Sequence, residues 1–439
     1  MKKIVALLLI FTIVFSMTAC SASQQAQSTA TEASQIEIAP TEYLPYEGET
    51  LTVLYMSGAQ ADAAAMMVPE FEAVTGAKVE VITYPSEEMH EAILLDLISY
   101  IGTYDVINID AQWDGEFAPY LHPLDDFIAQ DKYDTSVWIE NVLTNCGQWQ
   151  DSIIGIPTSC MPHIFAYRMD LLPNGLPATW MDYRRIVTSV NRPGMGVYGI
   201  AASKTPDQLV NMFNYLLWSM GGSWADEDWN LTVNRNETRS ALNHLTGVKS
   251  LSDPACLEWT PDDALQAFLD GKAAVCESFS LADLLARADD TEQSQIAGNW
   301  ALSVIPADKT GITTLAATDV VIPVSSQNKK LAWEWIKMYT SMEMQNKFYD
   351  EFMILSPRKA FWEQTKLEHL SVVREALNHA NSGWRLPAFQ ELKPTIGETL
   401  SSLLSFKVYQ DTAIRKFDSE LKTLLENMPP EEGSKNYSH

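Results

Sequence analysis

Residues 149–168 read WQDSIIGIPTSCMPHIFAYR, and how this stretch runs decides the architecture. A polar tip, Gln150-Asp151-Ser152, lies between Trp149 and the apolar pair Ile153-Ile154, which reads as a tight hairpin. Gly155-Ile156-Pro157 is expected to end that strand, because Pro157 has no N–H to give a central ladder. The chain must then turn or cross over. Hydroxyls follow at Thr158 and Ser159, and a second extended run, Ile164 to Tyr167, leads into Arg168. The stretch reads as a passage from one lobe to another, with the hydroxyls and Tyr167 on a cleft floor.

Upstream, residues 51–55, 78–82 and 104–109 read as strands. A helical pattern at 62–74 ends before Gly76, and a second begins near Ser86 with Glu87 and Glu88 suited to its positive N-terminal end. Strand, helix, strand, helix, strand with short links argues for an α/β fold built on a parallel sheet covered by helices. Ligands of such sheets sit beyond the carboxyl ends of the strands. That rule selects residues 57–60, with Ser57 and Gln60, and residues 110–113, with Asp110, Gln112 and Trp113.

Downstream, residues 180–190, 206–220, 236–251 and 262–269 look helical. Residues 273–276, 302–306 and 315–323 read as strands, and the chain is mostly helical from Asn328. A length of 439 residues, 46% of them hydrophobic, allows two or three domains with sizeable cores. Lys2 and Lys3 precede an apolar run too short to span a bilayer, which reads as a secretory signal. Residues 21–49 are rich in Ser, Ala, Thr, Gln and Glu and are expected to be a flexible tether. A net charge of −27 disfavours nucleic-acid binding, which needs a basic face. Beyond Cys20, Cys146, Cys160, Cys256 and Cys276 are expected as buried free thiols, although Cys146 and Cys160 flank the hairpin closely enough to raise a disulfide.

Several segments, in order, resemble the sugar-type extracellular solute-binding proteins of bacterial ABC importers, a family related to maltose-binding protein. They include Thr18-Ala19 before Cys20, which is similar to a lipobox, then MVPEFEAVTGAKVEV, YDVINIDAQWDGEFAPYLHPLDDFI, IIGIPTSCMPHIFAYRMDLL, MGGSWAD, ALQAFLDGKAAV and VVIPVSSQNKKLAWEWIKMYTSMEMQNKF. The resemblance implies a two-lobed periplasmic-binding-protein-like fold of type II. Each lobe would be a mostly parallel sheet flanked by helices, joined by a multi-segment hinge. Residues 1–19 would be a lipoprotein signal peptide and 20–49 the tether. Residues 50–157 with 312–353 would form the N-terminal lobe, 158–311 with 354–428 the C-terminal lobe, and 429–439 a frayed tail. Crossings are expected at 156–162, 306–313 and 354–358. By motif, ligand contacts would come from Ser57, Gln60, Asp110, Gln112, Trp113, Thr158, Ser159, Tyr167, Trp224, Glu277, Phe279 and Asp319. One departure is Ala317-Thr318, where many relatives carry two glycines.

Sugar sites combine aromatic platforms with carboxylates and amides that orient hydroxyls. Trp113, Trp224 and Trp384 lie in breaks between elements, where each either stacks on a ligand or packs under a loop. Asp110 either binds hydroxyls or caps a turn. No nucleophile motif, phosphate loop or metal-ligand spacing is present, so no cofactor, metal or catalysis is expected. The expectation is a monomeric receptor, lipid-anchored through Cys20 on the outer membrane face. It would capture a mono- or oligosaccharide and hand it to ABC permease subunits. A polyamine receptor, suggested by the acidic balance, and a glycoside hydrolase are the alternatives.

Overall fold

The computed structural model describes residues 44–226, 228–364, 369–386 and 389–427. The signal, Cys20 and the tail at 429–439 lie outside the described residues. Within the segment expected as tether, residues 44–49 are described: the Tyr46 N–H donates to Thr75 O (2.9 Å) and its ring packs on the first core. A large aromatic at that position supplies apolar surface that the tether composition lacks.

The strands are β1 (Thr50–Met56), β2 (Lys78–Tyr84), β3 (Val106–Asp110), β4 (Gln148–Trp149), β5 (Ser152–Ile153) and β6 (Gly155–Pro162). They continue with β7 (Phe165–Arg168), β8 (Tyr198–Ala201), β9 (Ala273–Cys276), β10 (Trp300–Ser303), β11 (Thr313–Val321) and β12 (Ala380–Asn381). The N-terminal sheet has the order β12-β11-β3-β1-β2 with β6 also on β11, and the C-terminal sheet the order β10-β7-β9-β8. The parallel pairing expected upstream is present in β2-β1-β3. In the C-terminal sheet only β8 and β9 pair in parallel; β7 is antiparallel to both neighbours. Apart from the β4–β5 hairpin, the antiparallel pairs involve β6, β7, β10 and β11, strands that flank the passages between sheets and so run back against their partners.

The hairpin forms as β4 and β5, with Gln150 at φ 51° in its turn. Pro157, however, does not end the next strand. It lies inside β6, which stays paired with β11 through Pro162. Two local features allow this: β6 is bonded to a strand on one side only, and the register slips between Thr318 and Asp319 opposite Pro157. The first passage therefore falls at His163 and Ile164 rather than at 156–162.

A second passage runs between β10 and β11, and a third near Leu355, whose carbonyl accepts from Cys160 N at 3.1 Å. A further strap follows. β12 joins the edge of β11, Arg385 anchors beside Asp114, and helix Phe389–Leu404 then packs on helix Pro206–Ser219 in the other lobe. The N-terminal core gathers Val53, Phe71, Trp335 and Tyr339 on its sheet; the C-terminal core gathers Phe165, Trp180, Tyr215 and Phe417. Each such side chain contributes roughly 1.5–3 kcal/mol by leaving water. Cys146, Cys160, Cys256 and Cys276 are free and buried.

Candidate functional site

Helix Pro206–Ser219 is apolar and buried on most sides, yet Gln208, Asn211 and Asn214 recur at every third position and so share one face. That face looks across at the first passage and at the loop after β3. Between them lies a cavity of about 270 Å³. Its wall takes Gln112 from the loop after β3, Met161 to Ile164 from the passage, Ser278 and Phe279 from the loop after β9, and Ser382 from the strap. An adjoining cavity of about 250 Å³ shares Met161 and Phe279 and adds Gln60 and Ser159. Met161 and Phe279 form the waist between the two.

The wall is neutral. Among the described residues, neither compartment is lined by Asp, Glu, Lys or Arg. His163 is the one titratable imidazole there; burial pushes it down to about 4, and its ring stacks on Tyr215 with centroids 4.7 Å apart. Amides give donors and acceptors side by side, and hydroxyls give both from one atom, which matches a ligand rich in hydroxyl groups. Phe279 supplies an apolar platform.

The expected site residues divide sharply. Gln60, Gln112, Ser159 and Phe279 line the cavities. Gln60 Oε1 accepts from Tyr339 Oη (3.0 Å), and the Ser159 hydroxyl bonds Thr318 Oγ1 (2.7 Å). Ser57 is exposed at the end of β1, outside both compartments. Asp110 caps the turn after β3, accepting from Gln112 N at 2.8 Å, and burial raises its carboxyl above the usual range, opposed by Lys393. Trp113 packs edge-on to His90 (5.1 Å) and Phe117 (6.0 Å).

Others are corrected from wall to interior. Thr158 is fully buried between strands, where its Oγ1 bonds Thr318 O (3.0 Å) and receives Asn108 Nδ2 (3.2 Å). Tyr167 packs against the C-terminal core. Trp224 is fully buried; its Nε1 donates to Asn214 Oδ1 (2.8 Å) and its ring meets Phe213 at 5.1 Å. Trp384 is buried against Trp229 and Phe389, each at 5.4 Å. Glu277 lies behind Ser278 and accepts from the Tyr183 hydroxyl; burial raises its carboxyl, opposed by Tyr183 and Lys204. Asp319 is fully buried, and its carboxyl lies so close to Gly155 that a Cβ there would meet Oδ2 at 1.8 Å. Trp224, Trp384 and Glu277 sit outside the strands, whereas Thr158, Tyr167 and Asp319 lie within β6, β7 and β11; neither position fixes the direction in which a side chain points.

Sequence reasoning missed Gln208, Asn211, Asn214, Met161, His163, Ser278 and Ser382. The amide row carried a usable signal, since three amides at three-residue spacing interrupt an otherwise apolar helix. Among the described residues no three His, Cys, Asp or Glu side chains gather as a metal site, and no helix is long and apolar enough to cross a membrane.

Residues 56–346 match the family model of bacterial extracellular solute-binding proteins. A curated relative, a probable amino-acid ABC transporter periplasmic-binding protein of Sinorhizobium fredii, is 25% identical over 230 residues, 49% of this chain and 52% of the relative. The chain thus spans about half the length of that relative. Maltose-bound MalE3 of T. maritima superposes with a TM-score of 0.74 at 22% identity, over 86% of this chain and 100% of that one. The sugar-binding protein MalE of Xanthomonas citri gives 0.76 at 19% identity over 86% and 98%. A solute-binding protein of Agrobacterium radiobacter in complex with ribitol gives 0.72 at 22% over 87% and 100%. At these identities the likeness is one of fold, two lobes of helix-flanked sheet.

Proposed function

The chain belongs to the family of bacterial extracellular solute-binding proteins, and from that premise we propose that its interlobe cavities capture a neutral, hydroxyl-rich solute, a mono- or oligosaccharide or a polyol. The observation that carries this reading is the wall itself: amides, hydroxyls and Phe279, with no charged side chain among the described residues. A polyamine needs carboxylates to replace its hydration, and a free amino acid needs partners for both an ammonium and a carboxylate. A glycoside hydrolase needs two carboxyl groups flanking the scissile bond. The neutral wall favours none of these.

Capture proceeds by a shift from open to closed lobes, stabilised by contacts made from both sides. The amide row and Phe279 hold the ligand from the C-terminal lobe, and Gln60, Gln112 and Ser159 from the N-terminal lobe. The chain acts as a monomer without chemical conversion, tethered to the outer membrane face through acylated Cys20, and delivers its solute to ABC permease subunits.

A thermal-shift screen of the mature chain with maltose, ribitol, D-mannitol, spermidine and glycine tests the solute class, since a ligand at 100 times its Kd adds about 2.7 kcal/mol of stability. Stabilisation by the neutral compounds is expected; a response to spermidine or glycine alone overturns the reading. For the anchor, Cys20→Ser should release the protein from the membrane fraction into the medium.

A further inference from the structure

The loop after β3 faces the C-terminal segment with alternate residues. Asp114 Oδ2 accepts from Arg385 Nη1 (2.9 Å), Gln112 Oε1 accepts from Lys393 Nζ (2.7 Å), and Gln112 O accepts from Gln390 Nε2 (3.2 Å). Asp110 lies close enough to Lys393 and Asp207 to feel both charges. The two ends of this seam differ. Arg385 and Asp114 are fully buried, whereas Lys393 and the cavity-lining Gln112 to which it bonds are half-buried. Gln112 belongs to the N-terminal sheet's loop and lines the larger cavity; Lys393 rides on helix Phe389–Leu404, which packs on the amide-bearing helix of the opposite lobe.

We propose that Lys393 is a positioning residue that latches the lobes across the cavity mouth and sets the Gln112 amide in the binding wall. Its ammonium takes the Gln112 carbonyl oxygen as a charge-assisted acceptor, which leaves the amide N–H₂ group to serve a ligand acceptor. The same bond joins the walls that closure must bring together. Breaking it leaves the buried Arg385 anchor in place, so the lobes stay connected while the mouth loosens. Asp110 lies near enough to feel the ammonium's charge. The affinity consequence rests on the solute reading above; the latch itself does not.

The test uses the mature chain with spin labels at Val74→Cys and Met181→Cys, exposed positions in the N- and C-terminal lobes, 57% and 77% accessible. The ligand-free interlobe distance distribution is measured by pulsed electron resonance. Lys393→Met should widen the distribution and Lys393→Arg should keep it. Gln112→Met, which removes the acceptor from the other side, should widen it as Lys393→Met does. A purely structural role for Lys393 lowers the melting temperature without moving the distances, and unchanged distances in both methionine variants overturn the latch. With maltose as probe, Lys393→Met should bind about tenfold more weakly. Widening in a protein that binds no maltose in the wild-type form supports the latch and overturns maltose as the solute.

Discussion

Two polar regions lie on either side of the strap, and they are built on opposite terms. The cavity wall is neutral and open, with Gln208, Asn211, Ser159 and Gln112 half-exposed to it. The cluster around Asp319 is charged and closed. There, Arg385 donates to Asp114, to Gln148 O (2.8 Å) and to Thr144 O (2.9 Å), while both carboxyl oxygens of Asp319 are enclosed without a hydrogen-bond partner. Burial, then the nearby Asp114, raise the Asp319 carboxyl well above its ordinary value, with Arg385 opposing. The contrast is that in this fold ionic groups tie segments together, while neutral groups line the interlobe cavities. A carboxylate or guanidinium in the cavity would demand an ionic ligand, whereas the same groups below the strap hold β11, the hairpin and the strap in one arrangement.

The contrast breaks or sharpens under substitution. Arg385→Met should have the largest effect, costing about 3–5 kcal/mol in chemical denaturation, because Asp114 is then buried without its partner. A cost below about 1 kcal/mol would show that the cluster is not the tie between segments.

Asp319→Asn should act through pH. Burial keeps the Asp319 proton on to higher pH in the folded state than in the unfolded chain, where it leaves near the ordinary value of 3.8. Stability from this group is therefore full below that pH and is lost as pH rises through the higher folded value, with a slope of at most about 1.4 kcal/mol per pH unit. The asparagine variant should flatten the decline above about pH 4 in denaturation midpoints. An unchanged slope would mean that Asp319 is ionised in the fold.

On the neutral side, Asn211→Ala or Phe279→Ala should weaken the solute found by thermal shift about tenfold in calorimetry, with little change in unfolding. Loss of fold instead of affinity would erase the distinction between the two regions. The smallest effect belongs to Ser57→Ala, expected within about 0.5 kcal/mol in stability and without change in affinity. Exposed at a strand end, Ser57 belongs to neither region.

Much of this was legible from local pattern. Alternating and helical periodicity placed β1, β2 and β3 and their helices to within a few residues, and the hairpin turned where its polar tip predicted. Pro157 was misjudged because a proline rule for central strands does not apply where the strand has a free side and a bulge opposite. The strap at 380–386 escaped notice because a two-residue strand and a buried arginine leave no periodic trace. Of the residues expected at the site, Gln60, Gln112, Ser159 and Phe279 line the cavities. Trp224 and Trp384 were expected on the wall because they lie in breaks between elements, and Glu277 and Asp319 because the family resemblance implied it, but their rings and carboxyls are buried.

By itself, then, the sequence determined the helix-flanked sheets, the passage between two lobes and the membership of the solute-binding family, because these rest on periodicity and on motif order along the chain. Only the tertiary structure decided which polar groups line the cavities. That choice depends on register, on the slip at Thr318 and Asp319, and on what packs across from each strand end, where Gln112, Phe279 and Ser382, more than a hundred positions apart in sequence, share one wall.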